Sequence, residues 1–369
     1  MSIKVKYVYN MGEYYRTIAD IAKDISKKKE GVFREKTPTL WFRGESQIQY
    51  TLIPSLFREN KGVVTCGSDE QYSNFHYAED IRVQHYNAKN FHYLEKEPSS
   101  RIEWLEVMQH HGVNTRVLDW SESSTHSLLF AIEPFCKKEN AANKEHKLDI
   151  SPCIWVLDPQ GLNKDLLGIL GENEKLQEKL LSNLSVSNTE RKSIIKRIRN
   201  LSKNMEKYME LESSHHINYL INLSAINDEI YRDSEWLGKM LLNKEAVNPL
   251  YYLLSRVYSD GFILNDYTLP PLAVVHPYHS ERIKAQKGVF TVFPFYKNLS
   301  EKDRKALKGL SINPDSMSFN KIAQRHLYKI ILCQPQQIAY EMLTNGMNES
   351  WLYPEMPIVS NEIEHHGVC

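Results

Sequence analysis

Met108-Gln109-His110-His111-Gly112-Val113-Asn114-Thr115-Arg116-Val117-Leu118-Asp119-Trp120-Ser121 sets a cluster of ionisable and amide side chains between two apolar segments. Its left flank follows a capping pair, Ser100 with Glu103, and is apolar at Ile102, Leu105 and Met108 until Gly112 stops it. Its right flank opens at Ser121 to Ser124, which can cap a helix carrying Leu128, Leu129, Ile132 and Phe135. The spacing predicts two helices joined by a turn and a short extended piece. Connections of this kind, held between rigid elements, commonly line sites.

Working outward, Thr39-Leu40-Trp41-Phe42 reads as a short strand that delivers Arg43-Gly44 to its end. Cys153 to Asp158 is a second strand, closed by Pro159, and further strand signals stand at Leu272 to Val275, Val289 to Phe293 and Leu327 to Cys333. Residues 11 to 27 place Tyr14, Ile18, Ile21, Ala22 and Ile25 on one helical face. Helices are also expected from Ser68, which makes a capping box with Gln71, to about Leu94, and from Gln336 to Asn345, ended by Gly346. A polar loop spans Lys137 to Asp149.

Residues 160 to 258 differ in texture, being rich in Leu, Lys, Glu, Asn and Ser and poor in Gly, with a capping box at Ser187 and Glu190 before Ile194, Ile195 and Ile198. This stretch reads as a helical insertion serving as a lid, substrate platform or partner surface. His215 and His216 within it read as surface histidines. The expected organisation is a core built from 1–159 and 259–369 around the insertion at 160–258. Strands and helices do not alternate regularly, and P-loop and G-x-G-x-x-G runs are absent, so the class is α+β rather than doubly wound.

Forty-six basic side chains balance forty-six acidic ones, so no global field draws the chain to nucleic acid or an anionic membrane. Five cysteines without a C-x-x-C spacing argue against a zinc site and a disulfide framework. With no signal-type leader and no apolar run long enough to span a bilayer, the expectation is a cytoplasmic protein without a membrane partner.

Arg43 beside Gly44 suits a grip on phosphate or ribose, because a guanidinium is a rigid fork of donors and glycine lets a ligand come close. The structural alternative is a buried arginine pairing Glu45 or Asp119. His110 and His111 are candidates for general acid or base, although neighbouring histidines after a helix cannot both face one way. Asp119 and Arg116 can orient a substrate or form an ion pair, and Asp119-Trp120 can equally be a helix cap and a core indole. A metal site at His110, His111 and Asp119 lacks the i, i+4 spacing and second carboxylate of a hydrolytic centre, so no metal is expected.

Gln109-His110-His111-Gly112 with Thr115-Arg116-Val117-Leu118-Asp119-Trp120-Ser121 resembles the signature of the FRG-domain family. The family's Phe-Arg-Gly tripeptide is matched by Phe42-Arg43-Gly44, with Leu52, Ile53, Pro54, Ser55 and Leu56 downstream. Arg282-Ile283-Lys284-Ala285-Gln286-Lys287-Gly288-Val289-Phe290 resembles its later Arg-Ile-x-x-Gln-x-Gly-x-Phe run, and Met342 to Asn348 with Leu352-Tyr353-Pro354 its closing helix and tail.

FRG domains look similar to the ADP-ribosyltransferase superfamily, which implies a mainly antiparallel split-sheet core and NAD as the substrate. Carried over, the resemblance implies Arg43 and Gly44 at NAD, Thr115 or Ser121 on the middle element, and Gln286 at the late catalytic position, where the superfamily usually has glutamate. Glu281 is the substitute candidate there. Gln109, His110 and Arg116 join the ligand-binding set, and His111 and Asp119 the catalytic one. The implied protein is a toxin or antiphage effector that modifies a nucleic acid or protein and is restrained by an antitoxin or chaperone, for which the insertion or the tail from Pro357 to Cys369 offers a surface. A nuclease or NAD glycohydrolase using His110 or His111 with Asp119, and a non-catalytic module binding a phosphorylated ligand, are the alternatives.

Overall fold

The computed structural model describes residues 3–28, 38–58, 71–90, 98, 101–136, 151–203, 241–242, 249–259, 263–264, 269–275, 281–296 and 320–347. Its frame is a seven-stranded sheet of β1 (Lys4–Val8), β2 (Trp41–Glu45), β3 (Val117–Ser121), β4 (Cys153–Leu157), β6 (Leu272–Val274), β7 (Gly288–Val292) and β9 (Leu327–Leu332). The spatial order is β1-β9-β4-β2-β3-β7-β6. β1 runs parallel to β9, and the other neighbours pair antiparallel. β5 (Ile263–Leu264) and β8 (Phe295–Tyr296) form a separate parallel pair. The fold is α+β, as the uneven clustering of elements predicts, and its sheet is mainly antiparallel, as the resemblance implies.

β2 matches β4 at five register positions from Trp41↔Leu157 to Glu45↔Cys153, whereas it meets β3 only at Phe42↔Ser121. The sheet therefore parts between β2 and β3. β2 continues through Arg43, which lies mid-strand rather than at its end.

Alternation along the strands sends Trp41, Leu118, Trp120, Trp155 and Leu157 to one face, where Leu52, Leu56 and Phe57 close over them. The other face has two helical covers. On one half, α1 (Met11–Lys28), α4 (Ser124–Cys136) and a late helix, Pro335–Thr344, bury Ile154, Val156, Ile330 and Leu332. On the other half, α3 (Arg101–His110), α5 (Pro159–Glu172), α7 (Asn188–Lys203) and α8 (Pro249–Tyr258) share a core with Val117, Leu272, Val274, Phe290 and Val292. Between α5 and α7 runs α6 (Glu174–Leu180), and α2 (Gln71–Asn90) packs beside α3.

The described helices of 160–258 are thus built into the sheet's own core. The Asn163 side chain of α5 donates to the Ala273 carbonyl and accepts from its amide, both at 2.9 Å, which caps the β6 edge. The Ser187 box holds as the spacing implies, with Ser187 N–H on Glu190 Oε2 at 2.8 Å and Glu190 N–H on Ser187 Oγ at 3.3 Å. Ser68, Ser100, the loop 137–149, His215, His216 and the tail 357–369 lie outside the described residues. No described helix is long and apolar enough to cross a membrane.

Candidate active cleft

The seam between β2 and β3 opens into a cleft of about 390 Å³, a volume typical of small-molecule sites. β2 brings Arg43 and Glu45 to it, and β3 brings Asp119 and Ser121. The end of α3 supplies Gln109 and His110, and α4 supplies Ser127 and Phe130. The opposite wall is α9 (Glu281–Ala285) with the turn after it, which present Arg282, Ile283 and Gln286 above Phe290 of β7.

Within Phe-Arg-Gly each residue has a distinct task. Phe42 is 5 % exposed and belongs to the core under α4. Gly44 lets α4 lie directly on the strand, since a Cβ there would sit 1.9 Å from the Ser127 carbonyl oxygen and 2.8 Å from the Ala131 amide. The close approach expected of this glycine is therefore made by a helix.

Arg43 stands between them with its side chain 17 % exposed. Its Nε donates to Glu45 Oε1 at 2.7 Å and its Nη1 to the Asp119 carbonyl at 2.8 Å, while the Asp119 carboxylate lies 3.9 Å away. Burial opposes the guanidinium charge, but Glu45 and Asp119 outweigh it and raise the pKa above the ordinary arginine value. The ion pair of the structural reading and the cleft position of the functional one are therefore both present. Nη2 has no partner among the described residues.

Asp119 keeps half of its side chain exposed and accepts from Gln109 Nε2 at 3.0 Å through Oδ2. Thr115 is fully buried outside the cleft lining, and its Oγ1 donates to Gln109 Oε1 at 2.6 Å. Gly112 ends α3 at φ 80°, with Val113 N–H returning to the Met108 carbonyl at 2.9 Å, so the chain leaves the helix in time for Thr115 to face Gln109.

Ser121 Oγ donates to the Gln286 carbonyl at 2.6 Å and accepts from Ser123 N–H at 2.9 Å, so its hydroxyl clamps the turn that carries Gln286. The next residue of that turn, Lys287, holds φ 48°, a left-handed conformation uncommon outside glycine. The Glu281 side chain lies outside the described residues.

Besides Thr115, two candidates stand apart from the cleft lining. Arg116 is fully buried, with Nε on Glu79 Oε2 at 3.0 Å, Nη1 on the Phe293 carbonyl at 2.7 Å and Nη2 on the Tyr258 carbonyl at 2.6 Å. It ties α2, α8 and the end of β7 to β3. His111 is exposed and stacks on Tyr86, ring centroids 6.4 Å apart, while His110 lines the cleft.

Arg282 lines the cleft, although in the sequence it stands only as the first residue of the Arg-Ile-x-x-Gln-x-Gly-x-Phe block, with no role of its own. Glu106 of α3 is 1 % exposed, and burial first, then Glu103 and Asp119, push its carboxyl well above the usual range. A glutamate in an otherwise ordinary helix gives no sequence signal of such burial.

The FRG-domain family model matches residues 38–140, the stretch that supplies β2, α3, β3 and α4, and the resemblance carried by Phe42-Arg43-Gly44 and Gln109 to Ser121 holds there. No curated protein and no solved structure matches the chain. The Arg282 to Phe290 block lies beyond the matched residues, and its Arg282, Ile283, Gln286, Gly288 and Phe290 all line the same cleft.

Proposed function

We propose that the cleft binds NAD, breaks its nicotinamide–ribose bond and passes ADP-ribose to a nucleic-acid or protein acceptor, as an ADP-ribosyltransferase-like enzyme does. The observation that carries this reading is the convergence of three separated sequence blocks on one cleft holding Arg43, Arg282, Asp119 and Gln286. In this reaction the C1′–N bond breaks with its electron pair leaving on nicotinamide, and an acceptor nucleophile bonds to C1′ and gives up its proton. The protein must hold the pyrophosphate and stabilise a cationic ribose. Guanidinium groups suit the first task, and the Nη2 of Arg43 is available for it. Asp119 suits the second, because its carboxylate is half-exposed while Glu45 is tied to Arg43.

Gln286 offers an amide to a ribose hydroxyl but cannot take a proton from an acceptor. That difference from a glutamate favours acceptors that are already good nucleophiles, or water. His110, which lines the same cleft as Asp119, gives the hydrolytic reading, an NAD glycohydrolase, its basis. A role as a toxin or antiphage effector with its own antitoxin or chaperone rests on the family resemblance.

The test is nicotinamide release from NAD by the full chain and by Arg43→Lys, with RNA, DNA and lysate protein offered as acceptors and NAD affinity followed by calorimetry. Lysine keeps the charge against Glu45 but loses the fork, so turnover should fall on the order of 10²-fold. Label on one acceptor supports transfer, and release without label supports hydrolysis. A wild-type chain that neither binds NAD nor releases nicotinamide sinks both.

A further inference from the structure

The half-exposed Asp119 carboxylate of the cleft is not held by charge alone. Thr115 Oγ1 accepts from Val117 N–H at 3.3 Å and donates to Gln109 Oε1 at 2.6 Å. The Asp119 carboxylate only accepts, so Nε2 is the amide end that meets Asp119 Oδ2 at 3.0 Å, and Oε1 is left to take the Thr115 hydroxyl proton, with the Thr115 oxygen held from its other side by Val117 N–H. The start of the relay is itself fixed, because Leu56 N–H donates to the Thr115 carbonyl at 3.0 Å and Thr115 N–H to Ser55 Oγ at 3.2 Å. Its far end is fixed by Arg43 on the Asp119 carbonyl at 2.8 Å.

We infer that Gln109 is a positioning residue: through an amide anchored at its oxygen end by Thr115 it holds Asp119 Oδ2 and leaves Oδ1 as the oxygen presented to the substrate. Oδ1 has no partner among the described residues. The consequence for turnover rests on the proposed NAD reading, whereas the relay itself does not. A neutral amide suits this place. It donates to the carboxylate without cancelling its charge, so Asp119 is oriented and remains an anion facing a cationic sugar. The alternative partner, Arg43, reaches the carboxylate only at 3.9 Å and spends its short bond on the backbone.

Two readouts test this. The first is direct, the NMR shifts of the Gln109 Nε2 protons in the full chain. They should move in Thr115→Val and in Asp119→Ala and return toward wild type in Thr115→Ser, whether or not NAD is consumed. Protons that keep their wild-type shifts in both Thr115→Val and Asp119→Ala overturn the relay. The second is kinetic. Gln109→Leu and Thr115→Val should each lower kcat on the order of 10²-fold with KM little changed, and the double variant should be no worse than either single one, as groups acting through one another are non-additive. Thr115→Ser should recover most of the Thr115→Val loss. Equal loss in Thr115→Ser and Thr115→Val, or a fully additive double variant, would mean that the two residues do not act through one another and would overturn the relay. If the proton shifts behave as stated and no nicotinamide is released, the relay stands and the NAD reading fails.

Discussion

Among single residues, Gly44 shows how a position in a motif can be required by geometry that has no chemistry in it. A Cβ at Gly44 meets backbone atoms of α4 at 1.9 and 2.8 Å, and backbone cannot swing aside as a side chain can. Gly44→Ala must therefore lift α4 from the strand and loosen Leu128, Ala131 and Ile132 from the core they share with Phe42. Overpacking of this kind costs about 1–3 kcal/mol, to be read as a lower urea midpoint at unchanged slope. A variant as stable as wild type would show that α4 can shift without loss. Arg43 and Arg116 make the complementary point. Both sit in the sequence beside motif residues, yet Arg43 lines the cleft with a nitrogen that has no partner among the described residues, while Arg116 gives its guanidinium to Glu79 and backbone carbonyls. Nothing in the linear order separates them, because the partners of Arg116 arrive from residues as distant as Tyr258 and Phe293.

The elements differ in how legible they are. α1, β4, β7, β9 and the helix Pro335–Thr344 stand close to where periodicity and caps put them, because each owes its form to its own apolar pattern. β1 was not anticipated: Lys4-Val5-Lys6-Tyr7-Val8 buries only Val8, and such an edge strand is defined by the β9 ladder it joins. α3 is legible as a helix but not as a buried one, for Glu103 and Glu106 are 2 % and 1 % exposed. This burial has a pH signature. The folded carboxyl of Glu106 has a pKa raised above the ordinary value of 4.5, so in the window above 4.5 the folded chain binds more protons than the unfolded one. Its contribution is fully present below the unfolded pKa and is lost as pH rises through the folded one. Glu106→Gln removes the titration, and the fall of unfolding free energy with rising pH above about 4.5 should be shallower in the variant than in wild type. Parallel curves from urea denaturation at several pH values would place the proton elsewhere.

Over the whole molecule, the sheet order decides what can fold alone. Among the described residues, 38–140 contribute only β2 and β3 to the large sheet, and those two meet at the single pair Phe42↔Ser121. The ladders that hold them come from outside the matched stretch, β4 pairing β2 at five positions and β7 pairing β3 at five. The cleft has the same dependence, since Arg282 and Gln286 enter from α9 and its turn. The helices of 160–203 add a further tie through Asn163 on Ala273 and through Leu166 and Leu170 in the core with Val292. Residues 38–140 expressed alone would expose two β edges and the apolar faces of α3 and α4, with too little partner surface to offset the chain entropy of ordering them. That fragment should show no cooperative thermal transition and poor amide-proton dispersion, while the full chain shows both a transition and dispersion. A folded fragment 38–140 would mean that β2 and β3 pair more extensively once β4 and β7 are gone, and that the opening at the seam is imposed by the outer strands rather than built into the two central ones.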